Sequence, residues 1–248
     1  MSNFELGIGK GFSVTTAIVL AGGLGTRLRS VVPDLPKPMA PVAGRPFLEH
    51  LFDYWIEQGI DNFVLSVGYR HELITKHFGK SYNGAAIEYA VEETPLGTGG
   101  GLLLGVTKLS NSEPFLLLNG DTFFAVNLKH LIDFASTNRA TLCFSLFRTT
   151  ENARYMAVEL SDDGRLASIG KKNAEPLDLV NGGVYWVELS VLKRINFTER
   201  KGLSLENDVF PALMNAQERV FGMSVTAPFL DIGVPEDYLR ASALIRNK

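Results

Sequence analysis

The chain predicts an α/β fold, a mainly parallel mixed sheet covered by helices on both faces. Three observations in its 248 residues carry this. Through the first part, apolar runs of strand length alternate with helical segments that stop at glycine. In the later part, "YMAVELSDDGRLASI" alternates apolar and polar residues around Asp163 and Gly164, the pattern of a hairpin. No linker rich in Pro, Gly or Ser, no repeat and no low-complexity segment interrupts the pattern. One domain over residues 14–248 is therefore expected, with 1–13 as a flexible leader.

Taken in order, "SVTTAIVLA" reads as a buried strand, followed by a long loop holding Pro33, Pro36, Pro38 and Pro41. "PFLEHLFDYWIEQG" places Phe47, Leu48, Leu51, Phe52, Trp55 and Ile56 on one helical face before a glycine stop. "NFVLSVG" is strand, "RHELITKHFG" helix, "AAIEYAVE" strand and "TGGGLLLGVTKL" the start of a helix. "PFLLLNGD", "LKHLIDFASTN" and "ATLCFSLF" continue as strand, helix and strand. Alternation at these lengths implies parallel strands joined by crossover helices. Further on, "LVNGGVYWVE" is a strand, while "LENDVFPALMNA" and "PEDYLRASALIRNK" are helices. The later strands should extend the sheet or lie over its open end.

Composition bounds the function. Hydrophobic residues at 46% and charged residues at 21% are ordinary for a soluble globular protein. A net charge of −3 and a pI near 5.9 argue against nucleic acid as the main partner, and leave a small anionic substrate open. Cys143 is the only cysteine, which excludes an intrachain disulfide and a multi-cysteine metal site. In "ATLCFSLF" it reads as a buried core thiol. No apolar run approaches the roughly 18 residues of a membrane span. "MSNFELGIGKGFS" lacks the pattern of a signal peptide, so a cytoplasmic location without a membrane partner is expected. "GIGKGFS" misses the P-loop spacing. His50, His71, His77 and His130 fall in helices or their flanks and read as surface or packing residues. Self-association into a homo-oligomer is left open.

Open α/β sheets bind ligands beyond the carboxyl ends of their strands. Here those ends are 22–27, 92–98, 119–122 and 181–183. In "LAGGLGTRL", Gly22, Gly23 and Gly25 let backbone N–H groups approach an anion, and Arg27 supplies planar donors for phosphate oxygens. Lys37 follows between two prolines that restrict its backbone. Leu28 stands where a dinucleotide fingerprint would need glycine. Asp121 ends the apolar strand of "FLLLNGD", and Asp231 repeats the form in "FLDIG". Paired strand-end aspartates beside a basic loop suit Mg²⁺ and phosphoryl or nucleotidyl transfer.

These residues carry a resemblance. "LAGGLGTRLRSVVPDLPKPMAPVAGRP" resembles the signature of the sugar-1-phosphate nucleotidyltransferases. The likeness continues through "EETPLGTGG", "LLNGDTFF", "LVNGGVYWV" and "FLDIGVPEDY". The resemblance implies a Rossmann-like nucleotidyltransferase fold and Mg²⁺-dependent condensation of a nucleoside triphosphate with a sugar 1-phosphate, releasing pyrophosphate. It implies that Leu20, Ala21, Gly22 and Gly23 meet the base and ribose, and that Gly25, Thr26, Arg27 and Lys37 hold the triphosphate. Glu92, Gly97 and Thr98 would complete the base pocket, Asp121 and Asp231 would hold the metal, and Asn181 and Gly182 would meet the sugar. Arg27, Lys37 and Asp121 are the expected catalytic groups.

Two departures concern the sugar. "GKKNAEP" puts Lys172 at the family's sugar-phosphate lysine, with Lys171 where glutamate is common. Met156 follows Tyr155 where glycine is frequent, which would narrow the sugar pocket or make it apolar. A finer likeness, carried by "PDLPKPMAPV", "NGDTFF", "NGGVY" and "DIGVPEDY", implies GTP and D-glycero-α-D-manno-heptose 1-phosphate, for surface polysaccharide synthesis. Mannose 1-phosphate guanylyl, N-acetylmuramate 1-phosphate uridylyl and glucose 1-phosphate thymidylyl transfer stay open. Outside the family, a glycosyltransferase would be expected to carry an Asp-x-Asp motif that "NGDTF" lacks. A non-catalytic nucleotide-sugar sensor would not need Arg27, Lys37, Asp121 and Asp231.

Overall fold

The computed structural model describes residues 14–23, 25, 28, 30–109, 113–150, 154–170, 178–195, 197 and 202–245. The expected leader therefore lies outside the described residues, as do Thr26, Arg27, Lys171 and Lys172.

β1 (Thr16–Ala21) leads into the glycine loop. After a 3₁₀ turn at Lys37–Met39, a small ladder of β2 (Pro41–Val42) and β3 (Arg45–Pro46) delivers the chain to α1 (Phe47–Glu57). β4 (Asn62–Val67), α2 (His71–Phe78), β5 (Ser81–Tyr82), β6 (Ala85–Val91) and α3 (Gly97–Val106) follow. Next come β7 (Phe115–Asn119), β8 (Thr122–Phe124), α4 (Leu128–Thr137) and β9 (Leu142–Thr149). β10 (Ala157–Leu160) and β11 (Leu166–Gly170) form the hairpin expected around Asp163 and Gly164. β12 (Asp178–Val187) and α5 (Leu189–Arg194) precede a π turn, Leu205–Val209, that widens the entry to α6 (Phe210–Asn215). β13 (Val220–Ser224), β14 (Phe229–Asp231) and α7 (Pro235–Ile245) end the described chain.

Four parallel strands form the centre in the order β7, β1, β4, β6. The chain builds outward from β1 through β4 to β6, then returns to lay β7 on the other side of β1. That reversal makes the β1/β7 boundary a topological switch point, where open α/β sheets take their ligands. β12 runs antiparallel to β7, β9 antiparallel to β12, and β13 parallel to β9. The later strands thus extend the sheet, with the β10–β11 hairpin joined to β12 through Ala157 and Val180. β13, in "RVFGMSV", is a strand that the sequence pattern does not announce. Its five residues, broken by Gly222, are too short for a clear alternation.

Side chains alternate between two apolar layers, as the period of a pleated strand requires. Ala17, Val19 and Ala21 face the layer that holds α1, α2, α4 and Ala241 of α7; Ile18 faces the layer that holds α3, α5 and α6. Leu116 and Leu118 join the first layer, Phe115 and Leu117 the second. Both sheet faces are therefore covered by helices. Cys143 lies fully buried in the first layer, and burial pushes its thiol well above the usual range. No helix among the described residues is long and apolar enough to cross a membrane.

Candidate active site

Beyond the ends of β1, β6 and β7 opens a cleft of about 420 Å³. Leu20, Ala21, Gly22, Gly23, Lys37, Glu92, Gly97, Thr98 and Asp121 line it, all expected from the sequence. Pro38, Pro95, Gly101, Asn119, Gly120 and Glu206 complete the lining. The switch point is held shut by Gly120, whose N–H donates to the Leu20 carbonyl at 2.9 Å. A Cβ on Gly120 would stand 2.6 Å from that same oxygen, so only glycine lets the β7 turn lie against β1.

Lys37 is placed by its neighbours. Pro36 is extended, Pro38 occupies the first turn of the short 3₁₀ helix, and Pro38 and Met39 are buried. The backbone of Lys37 packs against the glycine loop, its Cβ 3.2 Å from where Gly25 would carry one. The side chain is only 10% exposed and donates to Asp121 Oδ2 in an ion pair.

The two aspartates meet through a ladder that sequence spacing does not reveal. β14 pairs antiparallel with β8, setting Asp231 opposite Thr122, and the N–H of Ile232 donates to the Asp121 carbonyl at 3.0 Å. A point 2.5 Å from Asp231 Oδ1, the Cβ position of Gly233, is also 2.5 Å from Lys37 Nζ. Asp121, Asp231 and the Lys37 ammonium thus share one locus at the cleft's edge. Two carboxylates form the hard-oxygen donor set that Mg²⁺ accepts while keeping waters and substrate phosphate oxygens in its shell. Among the described residues no group of three or more His, Cys, Asp or Glu could hold a metal alone, so a bound Mg²⁺ would draw on phosphate.

At the opposite end, Glu92 Oε1 accepts from Ser66 Oγ at 3.2 Å and Oε2 from the Leu96 N–H at 3.0 Å. The carboxylate is anchored, yet each oxygen keeps a second lone pair for the cleft. A second cavity, about 430 Å³ and lined by Tyr69, His71, Glu93 and Thr94, shares Gly22, Glu92 and Pro95 with the first. Glu92 stands as the partition between them.

Asn181 and Gly182 do not join the described lining of the cleft. The Asn181 amide donates to Tyr185 Oη at 2.5 Å, and its Oδ1 accepts from the Gly183 N–H at 3.1 Å. Gly182 packs on the Phe124 ring. The register shift in β12 between Asn181 and Tyr185 presses Gly183, at φ 73°, against the Asn119 and Thr122 side chains. Met156 packs against the apolar layer of α3 and α6, and its carbonyl accepts from the Asn181 N–H at 3.0 Å. Glu206, missed in the sequence, reaches the cleft because the π turn docks on α3. Nothing in "SLENDVFP" marks that residue as different from a solvated helix glutamate.

A nucleotide-sized cleft at the switch point, with a glycine loop and a paired lysine and aspartate, defines a phosphate-handling α/β enzyme. Residues 16–248 match the nucleotidyl transferase family, and the chain belongs to it. It is 40% identical over 231 residues to a D-glycero-alpha-D-manno-heptose 1-phosphate guanylyltransferase of Aneurinibacillus thermoaerophilus, across 93% of this chain and 98% of that one. An enzyme of the same description from Campylobacter jejuni is 36% identical across 90% of this chain and 96% of its own length. The crystal structure of HddC from Yersinia pseudotuberculosis matches at a TM-score of 0.82 and 30% identity, covering 95% of this chain and all of that one. The same protein complexed with GMP-PN matches at 0.81.

Proposed function

We propose that this chain transfers a guanylyl group from GTP to a sugar 1-phosphate, D-glycero-α-D-manno-heptose 1-phosphate, in the cytoplasm. The observation that carries the base is Glu92. Guanine presents two neighbouring donors, N1–H and N2–H, and an anchored carboxylate accepts both. Adenine offers an acceptor at N1, and uracil or thymine a single N–H flanked by two carbonyls. The relatives described as heptose 1-phosphate guanylyltransferases, and the GMP-PN complex of HddC, support the same donor and acceptor.

The reaction joins two anions. The sugar phosphate oxygen attacks the α-phosphorus, the bond to the β-phosphate bridge breaks, and pyrophosphate leaves with the electron pair. The attacking oxygen is already ionised, so no general base is required. In this reading Leu20, Ala21, Gly22 and Gly23 meet the base and ribose, and Gly25 and Thr26 help to hold the triphosphate. Lys37, released from Asp121, and Arg27 offset the charge on the leaving group. Asp121 and Asp231 would hold Mg²⁺, which would supply further neutralisation at the phosphates. Lys172, Asn181 and Gly182 are assigned to the sugar phosphate and sugar.

The test is a matrix of GTP, ATP, UTP and dTTP against heptose, mannose, glucose and N-acetylmuramate 1-phosphates, read by pyrophosphate release. GTP with the heptose 1-phosphate should give the highest kcat/KM. A preference for UTP or dTTP would overturn the base, and a preference for another sugar the acceptor.

A further inference from the structure

Glu206 is a carboxylate of the cleft that the proposed reaction does not use. It lines the cavity with Thr98, Asn119 and Asp121, yet among the described residues it forms no ion pair. Its Oε2 accepts from Thr98 Oγ1 at 3.1 Å and from Ser204 Oγ at 2.9 Å. Thr98 Oγ1 in turn accepts from the Leu205 N–H at 2.8 Å, and the Ser204 N–H donates to Asp208 Oδ2 at 2.8 Å. No donor among the described residues reaches Oε1.

The segment that carries it is fixed with care. The Gly99 N–H donates to the Leu203 carbonyl at 2.8 Å, and a Cβ on Gly97 would stand 2.4 Å from that oxygen. The π turn then projects Glu206 over the first turn of α3. Such turns often re-aim a side chain at a functional site.

A half-buried anion beside two phosphorylated substrates is unfavourable unless neutral donors meet it. Base N–H groups are matched to Glu92, which leaves hydroxyls. Glu206 also shares the cleft lining with Asn119, whose side chain meets Gly183 beside the expected sugar residues Asn181 and Gly182. We propose that Glu206 is a specificity-determining residue whose free oxygen accepts hydroxyl groups of the sugar 1-phosphate, selecting a polyol with correctly placed donors.

This rests on the sugar 1-phosphate reading above, which wild-type pyrophosphate release tests separately. Glu206 is then probed with whichever sugar 1-phosphate the wild type turns over best. In Glu206→Gln the amide oxygen still accepts from Thr98 and Ser204, while a donor replaces the cleft-facing acceptor, so the melting temperature should hold. The KM for the sugar 1-phosphate should rise about tenfold or more, with the KM for GTP unchanged. Glu206→Asp, which keeps the charge but withdraws it by one methylene, should fall between. For one monodeoxy sugar 1-phosphate, wild type and Glu206→Gln should become equal. A loss confined to the KM for GTP, and matched by 2′-deoxy-GTP, would assign the residue to the ribose and overturn the proposal. Unchanged kinetics in both variants would overturn it as well.

Discussion

Gly22→Ala isolates the link between the glycine loop and the base end of the cleft. A Cβ at residue 22 would stand 2.5 Å from Glu92 Oε1 and 3.1 Å from its Cδ. Ordinary contact begins at 3.4 Å, so the carboxylate must retreat by about 0.9 Å. That retreat breaks or lengthens the bonds from Ser66 Oγ and the Leu96 N–H. Hydrogen bonds to a charged group contribute about 1.5–3 kcal/mol each, and Glu92 is half-exposed, so a total cost of about 2–3 kcal/mol is expected. The displaced carboxylate should also lower kcat/KM for GTP by about 10²-fold, through lost base recognition. The decisive comparison is a double-mutant cycle. With Glu92→Ala in place, the new methyl meets no carboxylate, and Gly22→Ala should then cost almost nothing further. Urea unfolding of the four proteins measures the coupling, expected near 2 kcal/mol, and pyrophosphate release gives the kinetic cycle. Full additivity, or a Gly22→Ala protein with wild-type stability and GTP kinetics, would refute the packing of this loop on Glu92.

Asp121→Ala and Asp231→Ala should each reduce turnover by ~10² or more, and EDTA should abolish activity that added Mg²⁺ restores. Full activity in excess EDTA would remove the metal from the reaction. Arg27→Ala should lower kcat far more than it raises the KM for GTP, with Lys rescuing only partly, as steady-state kinetics would show. Cys143 should resist alkylation in the native protein and react at once in denaturant, followed by mass spectrometry, because its thiol is buried and its ionisation suppressed. Arg194 holds the Glu218 carboxyl below its usual 4.5 through paired bonds of 2.8 and 3.0 Å. That stabilisation is present above the usual value and is lost as pH falls through the lowered one. Glu218→Gln should therefore cost about 0.5–1 kcal/mol at neutral pH and progressively less below 4.5, measured by denaturant unfolding across pH.

Where local chemistry decides structure, the sequence disclosed it. The apolar face from Phe47 to Trp55 buries as a helix, and Asp163–Gly164 turns a hairpin, because spacing and turn residues act over a few positions. The cleft was legible for a related reason: strand ends followed by glycine clusters converge wherever the sheet is parallel. What stayed hidden depends on distant pairing. The pairing of Asp231 with Thr122 belongs to a ladder between segments far apart in the chain, and the reach of Glu206 depends on Leu203 meeting glycines of α3. Asn181 looked free for a ligand because its contact with Tyr185 arises only when the strand shifts register.

The β8–β14 ladder has a consequence for the making of the protein. Asp121 and its glycine loop leave the ribosome more than a hundred residues before Asp231, which belongs to one of the last strands. A nascent chain can therefore assemble the parallel centre of the sheet while holding only half of the acidic pair. Closing that contact is a long-range event, slow relative to the local helices and hairpins. With Asp231 in its proposed metal role, catalytic competence comes last, and the appearance of activity during translation or refolding would time the arrival of a single three-residue strand.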